Sequence, residues 1–313
     1  MNRATTPPAV KLFASRLLWT LPVLWLVATM TFVILHLVPG GPFDKDKPLP
    51  PEILANVEAK YRLDQPLPAQ YARYLGQLLR GDLGPSYKYP DRDVNAIIRE
   101  SFPVSIQLGL AAFAIAVILG VGAGIAAALR PGSWLDGAAL LGATIGFSLP
   151  NFVLAVALIL IFSDWWHLFP PALWEDARHA VLPAVALGLG PAAYLARLTR
   201  NSLLEISRQE FVRVARAKGL PGRTVLIGYL LKAGLMPVVT VLGPLLAVLV
   251  TGSFVIEYLF SIPGMGRFFV TAVTNRDYPL IMGVTLVYAA VIVAANLAVD
   301  LLYTWLDPRV RTS

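Results

Sequence analysis

Residues 101–129 read SFPVSIQLGLAAFAIAVILGVGAGIAAAL, twenty-nine consecutive positions without one charged side chain. A helix needs about 20 mostly apolar residues to cross the roughly 30 Å hydrocarbon core of a bilayer, so this stretch can hold a complete span. Working outward, five more windows lack Asp, Glu, Lys and Arg altogether: 17–43, 137–163, 179–196, 233–256 and 278–299. Hydrophobic residues make up 57% of the 313 positions and charged ones 14%, against about 45–50% and about 25% in soluble proteins. The pattern predicts an all-α integral membrane protein with six transmembrane helices, because a lipid-exposed backbone must satisfy its own hydrogen bonds.

The first window follows Arg3, Lys11 and Arg16, a basic start like that of a signal peptide. Its apolar run to Val38 exceeds the about 7–15 residues of a cleaved leader, and no small-residue cleavage site follows, so a retained helix is expected. Lys and Arg in the short connections divide fourteen against three, with residues 1–16, 130–137, 197–232 and the C-terminus on the richer side. Positive charge marks the cytoplasmic face, and the 65-residue connection 39–103 is too long to count. Both termini and the 197–232 loop are therefore expected in the cytoplasm. The net charge of +7 then reads as orientation, and nucleic acid is not expected as a partner.

Two connections are large enough to do more than join spans. Residues 39–103 carry nine basic and nine acidic groups, broken by Pro39, Pro48, Pro50, Pro51, Pro66, Pro68, Pro85 and Pro90. Between these breaks, Ile53, Leu54, Val57 and Tyr61, then Tyr71, Tyr74, Leu75 and Leu78, recur at helical spacing. A folded external cap containing helices over 52–63 and 68–79 is expected. The other connection, 197–232, has a net charge of +6. Helix formers fill Glu210–Lys218, and Gly219 and Pro221 stop the helix. Phe211, Val214, Ala215 and Lys218 would share one face, with Glu210, Arg213, Arg216 and Ala217 on the others. By itself this is an amphipathic segment suited either to a membrane surface or to a docking partner.

Several activities are excluded by what the sequence lacks. There is no cysteine, and no phosphate-binding loop, H-E-x-x-H or G-x-S-x-G motif, so neither ATP hydrolysis nor the commonest hydrolytic chemistries belong to this chain. His36, His167 and His179 stand singly near span ends, as surface polar groups rather than metal ligands. No ionisable residue falls at the middle of a window, which removes the signature of a proton- or ion-coupled carrier. Glu257 and Asp300 sit at window ends, where headgroup contact would accommodate them. Gln107, Ser148, Asn151 and Asn296 are left either to face a pore or to bond a neighbouring helix. Gly120, Gly122 and Gly124, and Gly142 with Gly146, suit close helix approach. Pro150, Pro183, Pro191, Pro237 and Pro244 favour kinks. Trp165, Trp166 and Phe169 fit an external aromatic belt, and Trp19 and Trp305 a cytoplasmic one.

The run Phe211-Val212-Arg213-Val214-Ala215-Arg216-Ala217-Lys218-Gly219-Leu220 resembles the EAA-type loop of permease subunits of bacterial ABC importers, in the peptide-transporter variant typified by oligopeptide permeases. Aligned on Gly219, the general Glu-Ala-Ala positions hold Arg213, Val214 and Ala215, so only Ala215 and Gly219 keep the general form. Leu231-Lys232 departs from its later Leu-Pro, and Pro237 supplies the proline of the peptide variant. Gly84-Pro85-Ser86-Tyr87, Phe102-Pro103-Val104-Ser105, Pro263-Gly264-Met265-Gly266, Asn275-Arg276-Asp277-Tyr278 and Asp300…Tyr303…Asp307-Pro308-Arg309 also look like that family, over about residues 17–311.

The resemblance implies a type I ABC importer fold forming half of a peptide pore in a bacterial inner membrane. Its partners would be a second permease subunit, two ATP-hydrolysing subunits, an external solute-binding protein, the peptide substrate and membrane lipid, with no cofactor or metal. It makes Glu210, Phe211, Arg213, Val214, Ala215, Arg216, Lys218 and Gly219 an ATPase-coupling helix. Phe211, Val214 and Ala215 would supply apolar contact, and Glu210, Arg213 and Lys218 charge complementarity. The expected organisation is residues 1–38 as the N-terminal segment and first span, 39–103 as the external cap, 104–305 as the permease core and 306–313 as a cytoplasmic tail. Dipeptides, nickel chelates and other peptide-like solutes are the alternative substrates, and an autonomous carrier the alternative mechanism.

Overall fold

A computed structural model describes residues 8–43 and 51–306. Five described helices are long and apolar enough to cross a membrane, within Leu18–Leu37, Val94–Leu129, Ala177–Ser207, Met236–Leu259 and Tyr278–Leu297. The window 137–163 does not form a straight sixth span. Its helices Trp134–Gly146 and Asn151–Trp165 meet at 108°, because Pro150 offers no backbone N–H and biases Leu149, at φ −88° and ψ 129°, away from helix. Pro183, Pro191 and Pro244, also expected to favour kinks, lie inside uninterrupted helices. No strand occurs among the described residues, and an isolated antiparallel bridge joins Pro85 and Asp93.

The chain divides into two compact units. One comprises residues 1–104 and 263–294, the other 105–262 and 295–313. In the first unit, α1 (Pro8–Leu37), α2 (Pro51–Tyr61) and α3 (Leu67–Leu78) precede the start of α4 (Val94–Leu129). Helix α4 therefore begins inside the connection expected to run to residue 103. The cap is folded on α1. Tyr71 meets Thr29 across a 2.7 Å hydroxyl–hydroxyl hydrogen bond, and Phe32 stacks on Tyr74 with ring centroids 6.0 Å apart. Val94, Ile97, Met265, Leu280 and Val284 complete this core. His36 is half-buried, stacking at 4.1 Å on Phe32 and at 5.4 Å meeting the edge of Tyr278. An imidazole at the end of a span is sheltered there by two aromatic rings.

The second unit continues α4 and adds α5 (Trp134–Ser148), α6 (Asn151–Leu158) with a π-helical end to Trp165, α7 (Ala177–Ser207) and α8 (Glu210–Ala217). After these come α9 (Gly222–Val225), a π-turn over Leu226–Leu231, α10 (Lys232–Gly234), α11 (Met236–Val250) and α12 (Phe254–Leu259). The remaining α13 (Met265–Asn275) and α14 (Tyr278–Leu306) begin in the first unit. Helix α7 is the hub, touching α5, α6, α8, α10, α11 and α12. Asp176 starts it in a capping box, its carboxylate accepting from the N–H groups of Arg178 and His179 while the His179 ring nitrogen faces the Asp176 N–H. The His179 ring, 2.9 Å from Oδ1, and the Arg178 N–H hold the Asp176 carboxyl below the usual range.

Small residues let backbones close on α7. A Cβ on Gly120 would lie 2.5 Å from the Ala192 carbonyl, and one on Gly124 would lie 2.6 Å from the Ala196 carbonyl. On α7 itself, Gly188 meets the Ala112 carbonyl in the same way. A Cβ on Gly122 or Gly142, expected to share this role, would meet no atom within 4 Å: Gly122 lies off the stripe that Gly120 and Gly124 form, and on α5 it is Gly146, one turn after Gly142, that approaches Ala193 of α7. The two glycine classes give opposite expectations for alanine substitution. Gly124→Ala should cost about 1–3 kcal/mol through overpacking, whereas Gly122→Ala should stay within about 0.5 kcal/mol, read as melting of the purified protein in detergent.

Candidate functional site

The loop after α7 builds its helix where the sequence expects one. Helix α8 covers Glu210–Ala217, and Gly219, at φ +76°, ends it. The Gly219 N–H donates to the Arg216 carbonyl at 2.9 Å and the Leu220 N–H to the Ala215 carbonyl at 3.4 Å. This paired pattern closes a helix when the residue at the left-handed position is glycine. Leu220 packs beside Ala215 in a small core with Leu203, Val212, Val225 and Leu230.

That core decides which face of α8 looks outward. Val212 is completely buried and Ala215 is 3% exposed. Ala215 therefore does not share the outward face expected of it with Phe211 and Val214. Phe211 and Val214 are each 45% exposed, and Glu210, Arg213, Arg216, Lys218 and Gly219 are exposed around them. Val212 has no role in the sequence reading, although it lies three positions before Ala215 on the same helical stripe. Two grooves flank the ridge. One, of about 860 Å³, runs between the end of α7 and α8 and is bordered by Glu205, Arg208, Glu210 and Arg213. The other, of about 590 Å³, lies along Phe211, Lys218 and Tyr229, with the Phe211 and Tyr229 rings 6.5 Å apart. The arrangement is an apolar ridge ringed by charge, a form suited to seating in another protein's groove.

An ion pair fixes the base of this loop. Arg200 on α7 grips Asp136 on α5, with Nη2 2.8 Å from Oδ2 and Nε bonded to Oδ1. Asp136 is 5% exposed and also accepts from the Gly132 N–H at 2.9 Å. The bond joins the 130–137 connection to the 197–232 loop, which puts the two on one side, as alternating spans require.

In the first unit, two motifs far apart in sequence meet. The Asp277 carboxylate is completely buried. It accepts the Ser86 hydroxyl, the Tyr87 N–H at 3.1 Å, the Lys88 N–H at 3.4 Å and the Leu280 N–H at 3.4 Å. Ser86 Oγ in turn accepts from the Lys88 and Tyr89 N–H groups at 3.2 and 3.0 Å. Arg276, in the left-handed conformation at φ +57°, donates to the Gly41 carbonyl at 3.2 Å, and the Tyr278 hydroxyl donates to the Gly40 carbonyl at 3.3 Å. One carboxylate thus latches the segment before α4 to the start of the last span.

Glu257 also departs from its expected place. It is completely buried rather than held at a headgroup surface. Gly252, at φ +83°, turns the chain between α11 and α12, and a Cβ there would collide with Glu257 Oε1. The choice between pore lining and interhelical bonding is also narrowed. Gln107, Ser148, Asn151 and Asn296 are all exposed, and their side chains bond no other helix among the described residues. No cluster of three or more His, Asp or Glu that could hold a metal occurs among the described residues. The Asp307-Pro308-Arg309 motif and the 307–313 tail lie outside them.

These helices define a polytopic, all-helical membrane protein. The profile described as binding-protein-dependent transport system inner membrane component matches residues 119–312, and the chain belongs to that family. It is similar to the dipeptide transport system permease protein DppB of Bacillus subtilis (strain 168), at 46% identity over 285 residues, covering 91% of this chain and 92% of that one. It is also similar to the oligopeptide transport system permease protein OppB of Escherichia coli (strain K12), at 43% identity over 304 residues, covering 96% and 99%. Among solved structures it resembles a chain of the MetNI methionine ABC transporter in an inward-facing conformation, with a TM-score of 0.54 and 19% identity over 69% of this chain and 97% of that one. A chain of an amino acid ABC transporter crystallised with histidines gives 0.53 and 14%, over 66% and 93%. The architecture is the type I ABC importer fold.

Replacing Asp277 by alanine removes the acceptor from a buried hydroxyl and three N–H groups. Asp277→Ala should cost about 1–3 kcal/mol and expose the 84–93 segment to protease, read by melting and by limited proteolysis of the purified chain.

Proposed function

We propose that this chain is one permease subunit of a bacterial ATP-driven peptide importer, forming half of its pore and coupled to an ATPase subunit through α8. The observation that carries the coupling assignment is the division of α8 into two faces. Val212 and Ala215 anchor it inward, while Phe211 and Val214 stand exposed among Glu210, Arg213, Arg216 and Lys218. A short helix anchored on one side and open on the other transmits a push from a docked partner to the helix that holds it. Here that helix is α7, which packs against α4, α5, α6, α8, α10, α11 and α12. The energy source is external to the chain, whose sequence holds no phosphate-binding loop.

In this reading the assembly comprises a second permease subunit, two ATP-hydrolysing subunits and an external solute-binding protein in the inner membrane, with both termini in the cytoplasm. Residues 39–103 act as the external cap that meets the binding protein, and 104–305 as the permease core. ATP-driven closure of the ATPase pair displaces α8 and tilts the spans between two states, a rigid-body change. Oligopeptides are the proposed cargo, supported by 43% identity to an oligopeptide permease. The 46% identity to a dipeptide permease makes dipeptides the competing cargo, and uptake by the reconstituted complex with di- against penta-peptides separates them.

The coupling assignment is tested in the same reconstituted complex. Truncating a buried aromatic anchor at an interface costs about 2 kcal/mol or more, so Phe211→Ala and Arg213→Glu should lower ATP-dependent uptake at least tenfold. Insertion and melting temperature should be unchanged, because both side chains lie outside the core that holds α8. Uptake at the unaltered rate overturns the assignment, and ATP-independent flux through the chain alone overturns the importer reading.

A further inference from the structure

The cap and the ends of two spans enclose a cavity of about 460 Å³ whose chemistry the transport reading does not use. Four cationic side chains border it, Lys60, Arg62, Arg73 and Arg80, and no Asp or Glu does. Among the described residues none of the four has a carboxylate partner. Two acids of the same unit are engaged elsewhere, with Asp82 accepting from the Gly84 N–H at 2.9 Å and Asp277 holding Ser86 and its neighbours, while Glu58 and Asp64, close in sequence to Lys60 and Arg62, do not line the cavity. Unpaired guanidinium groups converging on one concavity leave a positive potential that an anion relieves.

A second observation is independent of these charges. Tyr74 lines the same cavity and is 8% exposed, and its hydroxyl has no hydrogen-bond partner among the described residues. Buried hydroxyls are nearly always paired. Burial and the neighbouring Tyr71 push this phenol up to about 12, so it stays a neutral O–H donor at physiological pH.

Position identifies the anion. His36 lies in the last turn of the span Leu18–Leu37, and Tyr278 opens the span Tyr278–Leu297. The cavity therefore sits at the depth where spans end and lipid headgroups lie. Phe32 and Met282, one turn deeper, give it an apolar floor. Beside it α1 exposes Met30, Ile34 and Leu37, a face that belongs against acyl chains. We propose that this cavity binds the phosphate headgroup of an anionic phospholipid, with Arg62 and Arg73 facing the phosphate and the Tyr74 hydroxyl donating to it.

The test uses the full-length chain in neutral-detergent micelles, titrated with phosphatidylglycerol, phosphatidylcholine or inorganic phosphate while melting is followed. Phosphatidylglycerol should raise the melting temperature, and phosphatidylcholine and inorganic phosphate should not. In Arg73→Gln the phosphatidylglycerol midpoint should rise about fivefold, the effect of losing one cation near a headgroup. Tyr74→Phe keeps the stacking on Phe32, so its melting temperature in phosphatidylcholine should be unchanged or higher, while its response to phosphatidylglycerol weakens. If Arg73→Gln fails to fold, Lys60→Gln, at an exposed position, replaces it with the same expected rise. An equal response in wild type and variants overturns the proposal, as does stabilisation by inorganic phosphate alone, which would make the site one for free anions. Stabilisation by a short peptide that phosphatidylglycerol does not reproduce would assign the cavity to substrate and equally overturn it.

Discussion

In hydrocarbon, helices gain little by hiding apolar surface from a solvent that is itself apolar, so their association rests on how closely backbones approach. Helix α7 is built for that constraint. Ala184, Ala186, Gly188, Ala192, Ala193 and Ala196 are buried along it, and Gly120 and Gly124 of α4 meet its carbonyls where a methyl group would not fit. Larger side chains at these points would hold the helices apart and forfeit dispersion contacts along the whole seam. The rest of the second unit takes its arrangement from this one helix.

The loop that leaves α7 inherits its rigidity. The Asp136–Arg200 pair grips α7 as it enters the loop, and Leu203, one turn on, joins the core that holds Val212 and Ala215. The proposed coupling helix is thus attached to the most enclosed of the five described spans by packing as well as by sequence. A displacement of α8 has no slack segment in which to be absorbed, since only Arg208 and Gln209 separate it from α7.

Much of this is legible in the sequence because it depends on local pattern. Charge-free windows mark the spans, helical spacing in 52–79 marks the cap, and Gly219 marks the end of α8. Features set by contacts between distant residues are not legible in that way. The inward turn of Ala215 depends on Leu203, Val225 and Leu230 closing over Val212, which no window around residue 215 contains. Glu257 looks like an interfacial carboxylate because it ends an apolar run, and the turn at Gly252 instead carries it inside. The cap and span-start motifs around Ser86 and Asp277 are each visible, but nothing in either announces that they bond to one another. Gly122 and Gly142, which do not touch α7, cannot be told from Gly120 and Gly124 until the helix faces are known.

The Asp277 latch carries a consequence for biogenesis. Its two halves, Ser86 and Asp277, lie 191 residues apart, and chain synthesis adds about 5–20 residues per second. The cap segment accordingly emerges about 10–40 s before the carboxylate that fastens it. During that interval the donors around residue 86 must be satisfied by water, and the nascent chain exposes a loose segment until its final span inserts. Completion of the last span is therefore the event that matures the segment around residue 86, so a ribosome stalled before residue 277 leaves a segment that a protease can distinguish from the finished one.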